Sequence, residues 1–210
     1  MDFSLWLAFA AASTALLLIP GPTVLLVLAY AIGQGRRIAV PTALGVATGD
    51  LIAMSASLAG LGALVLASAT LFTVIKWAGA VYLVWLGLRM ILGAKATALD
   101  VEAPEGAVGP RAAFLNAAFV TALNPKSIVF FIAFVPQFLD PARPITGQAA
   151  ILVATFVVLA AINALAYALL ADRMRGAFRC PSVIAWLTRA GGGALIAMGV
   201  ATASARRAAS

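Results

Sequence analysis

Apolar residues run along this chain in six long stretches, each ended by a short polar or charged segment. They cover Ser4 to Ile32, Ile38 to Leu66, Leu71 to Leu92, Ala112 to Leu139, Ile145 to Leu170 and Val183 to Ala203. Phe3 to Gln34 holds no charged residue, and neither does Pro144 to Ala171. A helix that crosses a bilayer core needs about 20 apolar residues. The pattern predicts an all-α integral membrane protein with six transmembrane helices.

The first and fourth stretches are too long for one straight crossing. At ~1.5 Å per residue, about 28 residues reach ~42 Å, against a hydrocarbon core of ~30 Å. Each contains a natural break. Pro20-Gly21-Pro22 removes two backbone donors and adds a loose link. Asn124-Pro125 reads as an N-cap followed by proline at the first helical position. Each stretch is therefore expected as two half-helices, broken near the midplane, with the second halves starting near Pro22 and Pro125.

The polar segment 94–111 holds Asp100, Glu102, Glu105, Pro104 and Pro110 and predicts a solvated linker. It separates a first three-helix unit, 1–93, from a second, 112–210. The units look alike. Ala78-Gly79-Ala80 through Gly87 aligns with Ala190-Gly191-Gly192 through Gly199, and the Gly21-Pro22 break aligns with Asn124-Pro125. A unit with an odd number of crossings returns to the membrane from the other side. The expected architecture is thus a pair of inverted repeats.

Composition narrows the chemistry. The chain is 64% hydrophobic and 10% charged, with one cysteine, Cys180, and no histidine. An internal disulfide, a Cys/His zinc site and a Ser/His or Cys/His catalytic unit cannot be built. No phosphate loop of the G-x-x-x-x-G-K-[ST] type occurs. No cofactor, metal or enzymatic activity is expected. The net charge of +7 fits loops facing an anionic inner leaflet, not a nucleic-acid partner. Arg36, Arg37, Arg89, Lys95, Arg111, Arg173, Arg175, Arg179 and Arg189 share one side, against Lys76, Arg143, Arg206 and Arg207 on the other. The first side is expected to be cytoplasmic and both termini periplasmic. Asp2 without a nearby Lys or Arg argues against a cleaved signal peptide.

Three polar side chains fall near mid-span: Asp50 in the second stretch, Lys126 in the fourth and Asn163 in the fifth. A charge at that depth costs ~2.5–3.5 kcal/mol on insertion scales and faces a cavity or a partner. Helix N-termini expose unpaired N–H groups and a partial positive charge. In an inverted repeat, the half-helices starting at Pro22 and Pro125 aim those ends at one place, which suits a carboxylate. Lys126 adds a positive charge there and Asp50 a negative one. Together they match the two ends of a zwitterionic amino acid. Blander alternatives stand beside this. Asp50 and Lys126 could pair and fix packing, the prolines could be packing kinks, and Asn163 could bond a neighbouring helix. Gly45-Val46-Ala47-Thr48-Gly49 is a G-x-x-x-G and reads as a close-packing element. A metal-ion exporter is the rival function. It would need several ligands at one depth, where Asp50 is the lone carboxylate.

Several segments together carry a family resemblance. They are Pro20-Gly21-Pro22, Gly33-Gln34-Gly35-Arg36-Arg37, Gly45 through Asp50, Lys76-Trp77-Ala78-Gly79 through Gly87, Asn124-Pro125-Lys126, and Pro136-Gln137-Phe138. In order and spacing this set resembles the LysE/RhtB family of amino-acid exporters over nearly the whole chain. The resemblance implies a multi-pass protein of the bacterial inner membrane that exports amino acids on an ion gradient. Its motif positions fall on Gly21, Pro22, Gly49, Asp50, Asn124, Pro125 and Lys126. The expected substrate site is Gly21, Pro22, Asp50, Asn124, Pro125, Lys126 and Asn163, with Asp50 also carrying a coupling proton. The expected partners are a small amino acid and the lipid bilayer, with a homodimer compatible.

Overall fold

The computed structural model describes residues 1–19, 21–67, 69–94, 108–140, 143–178 and 181–204. Most of the expected linker, Pro20, Cys180, Arg206 and Arg207 lie outside them. All regular structure among the described residues is helical. The α-helices are α1 (Phe3–Leu18), α2 (Pro22–Gln34), α3 (Ala39–Ala67), α4 (Ala69–Gly93), α5 (Pro110–Ala122), α6 (Pro125–Val129), α7 (Ile145–Phe178) and α8 (Pro181–Ser204).

Local chemistry sets the helix ends. Asp2 caps α1, its carboxylate accepting from the Ser4 N–H at 2.8 Å. Gly21 precedes Pro22 at the start of α2. Asn124 caps α6, its side-chain oxygen accepting from the Lys126 N–H at 3.1 Å, with Pro125 at the first helical position. Both expected breaks are therefore present, and the second bends the chain by 44°.

The segment after Pro125 is not the plain half-helix expected from sequence. Five α-helical residues lead into a π-helical turn, Phe130–Phe134, and then a 3-10 turn, Val135–Phe138. Pro136 supplies a cause: it has no N–H for the Ile132 carbonyl, and its ring crowds that carbonyl in a regular helix. α7 also continues to Phe178, past the expected end at Leu170. Charge ends an apolar span, but Asp172-Arg173-Met174-Arg175 contains no glycine or proline to end a helix.

Among the described residues, three helical runs are long and apolar enough to cross a membrane: Pro22–Gly60, Thr73–Gly93 and Ile145–Ala171. The bent pair Pro110–Ala122 with Pro125–Phe138 makes a fourth, and Phe3–Leu18 is apolar but shorter. The run Pro22–Gly60 folds back on itself. Gly35 has φ 69°, a left-handed value that glycine adopts without penalty. α2 lies against α5 in the opposite sense, Thr23 meeting Thr121 and Tyr30 meeting Asn116. α3 lies along α5 in the same sense, Gly45 meeting Phe114 and Gly49 meeting Ala118. Consequently α2 and α3 are antiparallel.

α4 packs antiparallel on α8, with Gly87 against Gly192 and Gly199 against Ala80. α1 runs parallel to α7, tied by Trp6 to Thr155 at one end and by Leu17 to Asn163 at the other. Buried phenylalanines fill the core between these layers, with Phe9, Phe130, Phe131 and Phe156 all 0% exposed. Phe131 meets Phe156 edge-on at 4.8 Å and Phe9 meets Phe138 at 5.4 Å.

Candidate functional site

The end of α1 poses a problem that the surrounding helices solve. A helix leaves its last four carbonyls without partners, and in a bilayer no water satisfies them. Here Pro22 prevents α1 from simply continuing into α2. Three side chains from the second half of the chain take up the acceptors instead. The Lys126 ammonium donates to the Leu16 and Ile19 carbonyls at 3.2 and 3.1 Å. Asn163 donates its amide to the Leu17 carbonyl at 3.1 Å, and the Tyr167 hydroxyl donates to Leu18 at 3.2 Å. A cation at a helix C-terminus is favourable, by up to ~2 kcal/mol in partly buried geometry. Gly21 makes room for it: a Cβ there would stand 3.3 Å from the Lys126 Nζ.

These groups line one cavity between α1, α2, α3, α6 and α7. Of the expected site residues, Gly21, Asp50, Asn124, Lys126 and Asn163 border it. Pro22 and Pro125 do not; both are exposed, and they set the helix breaks without touching the space. Gly49 is buried against α5. The cavity measures about 30 Å³, far smaller than the ~150 Å³ of a cavity that holds benzene. An amino acid therefore enters only if the helices part.

Asp50 is 2% exposed. It makes no hydrogen bond and no ion pair among the described residues. Lys126 spends its ammonium on the α1 carbonyls and does not contact Asp50 as an ion pair. The simple packing pair considered from sequence is therefore not formed. Asn163 does bond a neighbouring helix and borders the cavity as well, so the two alternatives for it coexist.

Sequence reasoning missed Thr23, Ser127 and Tyr167, which also line the cavity. Thr23 links the two breaks: it meets the Thr121 hydroxyl at 3.3 Å and accepts from the Asn124 amide at 3.3 Å. Signals for all three were available. Thr23 follows Pro22 directly, Ser127 lies two residues after Pro125, and Tyr167 lies one helical turn beyond Asn163 on the same face.

A family model for LysE type translocators matches residues 14–206. The chain is 37% identical over 208 residues to a homoserine/homoserine lactone efflux protein of Salmonella typhimurium, covering 99% of this chain and 100% of that one. It is 32% identical over 209 residues to an uncharacterized membrane protein of Vibrio cholerae, covering 98% and 100%. A leucine efflux protein of Salmonella choleraesuis is 36% identical over 140 residues, 67% of this chain and 66% of the relative. No solved structure matches. With the family match spanning the two helix breaks, the buried Asp50 and the Lys126 latch alike, this chain belongs to the LysE type translocator family.

Proposed function

We propose that this chain exports amino acids across the bacterial inner membrane as a secondary-active transporter, probing the membrane from both sides through the cavity at the two helix breaks. The observation that carries this is the end-to-end similarity to a homoserine efflux protein. The shorter similarity to a leucine efflux protein points the same way. The substrate zwitterion lies at mid-membrane. Its ammonium faces Asp50, and its carboxylate faces the N-terminus of α2 and Lys126 once that ammonium has left α1.

Six crossings in two inverted repeats account for the helix directions. An axis in the membrane plane that exchanges α3 with α7 and α4 with α8 requires each pair to be antiparallel. α4 and α8 are antiparallel, and the cavities between α3 and α7 pair early residues of one with late residues of the other. The same axis relates α1 along α7 to α5 along α3, both parallel. Rocking one repeat against the other would open the water-sized cavity to alternate sides. An aspartate at this depth also suits a coupling proton. The metal-ion alternative is weaker, since Asp50 is the one acidic residue lining the cavity among the described residues and the Lys126 cation lines it too.

Cells lacking their own exporters and expressing this chain are expected to release preloaded homoserine or leucine. Release of a divalent metal and of neither amino acid would replace this function with the rival. Pro125→Ala is expected to reduce export by at least about tenfold with normal insertion, because α5 can then continue toward α6 and blunt the break. Full export by this variant would remove the second half-helix from the mechanism. For orientation, single cysteines at Arg36 and Arg173 in a chain without Cys180 should resist an impermeant thiol reagent in intact cells. Labelling at both positions would reverse the topology.

A further inference from the structure

The carbonyl cluster at the end of α1 has a chemistry beyond capping. Its occupant is an alkylammonium: Lys126 donates to the Leu16 and Ile19 carbonyls, and Leu16 also accepts from the Ile19 N–H. Leu16 and Lys126 border the same cavity as Asp50, a carboxylate that makes no hydrogen bond among the described residues. A substrate ammonium has the same charge and the same three donors. We propose that the Leu16 and Ile19 carbonyls with Asp50 form the ammonium subsite of the transporter, and that Lys126 is a tethered stand-in which the substrate ammonium displaces. The inference rests on the proposed amino-acid export and assigns its recognition to one end of the substrate.

Two observations support it independently. First, the relative that matches end to end is named for homoserine and its lactone alike. Lactone formation ties the carboxylate into a ring ester, so the ammonium is the charged group the two compounds share. A site that recognised chiefly a carboxylate would reject one of them. Second, the partners of α1 are unequal in kind. Asn163 and Tyr167 are neutral donors and hold the middle carbonyls, Leu17 and Leu18. The cation holds the flanking pair and packs against Gly21 at the mouth of the break. Displacing Lys126 leaves Leu17 and Leu18 satisfied. It also frees the Lys126 ammonium to meet the carboxylate when the substrate has one.

The test uses the full-length chain in liposomes, with export of radiolabelled homoserine competed by unlabelled homoserine, homoserine lactone and N-acetylhomoserine. The lactone keeps the ammonium without the carboxylate, and the acetylated compound does the reverse. The lactone is expected to compete within a few-fold of homoserine, and N-acetylhomoserine roughly ten- to a hundredfold more weakly, the scale of a lost charge-assisted hydrogen bond. N-acetylhomoserine competing as well as homoserine, or an inert lactone, would overturn the ammonium subsite and leave amino-acid export intact. No export of homoserine or leucine at all would remove both. Lys126→Met then tests the stand-in. The variant removes the competitor for the carbonyls and the partner of the carboxylate, so lactone over homoserine preference should rise by roughly tenfold. Lys126→Gln keeps a donor for α1 and should shift the ratio in the same direction. A ratio unmoved in both would show that Lys126 only caps α1.

Discussion

Asp50→Asn is expected to abolish homoserine export while leaving the protein in the membrane. The amide keeps the size of the side chain and loses its charge, so it neither attracts an ammonium nor carries an exchangeable proton. A loss of roughly ten- to a hundredfold is the scale of removing one charged hydrogen-bonding partner at a buried site, and loss of the coupling proton adds to it. The double variant Asp50→Asn, Lys126→Gln separates function from packing. If the two charges were a structural pair, removing both would restore much of what either single change loses, because an unpaired buried charge costs more than an absent pair. The Lys126 ammonium is bonded to the Leu16 and Ile19 carbonyls and not to Asp50, so exchanging it for glutamine relieves no ion pair at Asp50. The double variant is expected to stay inactive. Export recovered above both single variants would return the pair to a packing role.

Gly45→Ala should cause the largest loss of stability among single-methyl changes in α3. A Cβ at this position would lie 2.3 Å from the Phe114 carbonyl oxygen and 2.9 Å from the Ala117 Cβ. Neither is the end of a flexible side chain, so α3 and α5 must move apart along their whole contact. Overpacking of this kind costs about 1–3 kcal/mol, here at the upper end because the clash is with backbone. Gly60→Ala is the control, since a Cβ there meets nothing within 4 Å and alanine favours the helix by ~1 kcal/mol. Thermal unfolding of the purified protein should move down for the first change and not for the second. Equal behaviour of the two would mean that α3 and α5 are not packed this closely.

Much of the site was legible because membrane physics makes its parts rare. Proline within an apolar run and a charge at mid-span are both costly, so Pro22, Pro125, Asp50 and Lys126 stand out in sequence, and α2 and α6 begin at the two prolines. What sequence does not carry is the partner of each group. Lys126 was expected to serve a carboxylate, but the unmet carbonyls at the end of α1 compete for it, and their need follows from a break more than 100 residues away along the chain. Tyr167 was hidden for the same reason: a tyrosine in an apolar helix gains meaning only when α1 is known to end beside it. The π-helical turn at Phe130–Phe134 also escaped, since it combines a local cause, Pro136, with the packing of phenylalanines from three helices.

The most direct measurement is uptake of radiolabelled homoserine into everted membrane vesicles bearing the wild-type chain or Asp50→Asn, with a proton gradient imposed and then collapsed. The wild-type vesicles should accumulate homoserine while the gradient lasts and lose it on collapse, and the Asp50→Asn vesicles should stay at the level of empty membranes. Gradient-driven accumulation by Asp50→Asn equal to wild type, or none by either, would contradict export through the cavity that Asp50 and Lys126 share.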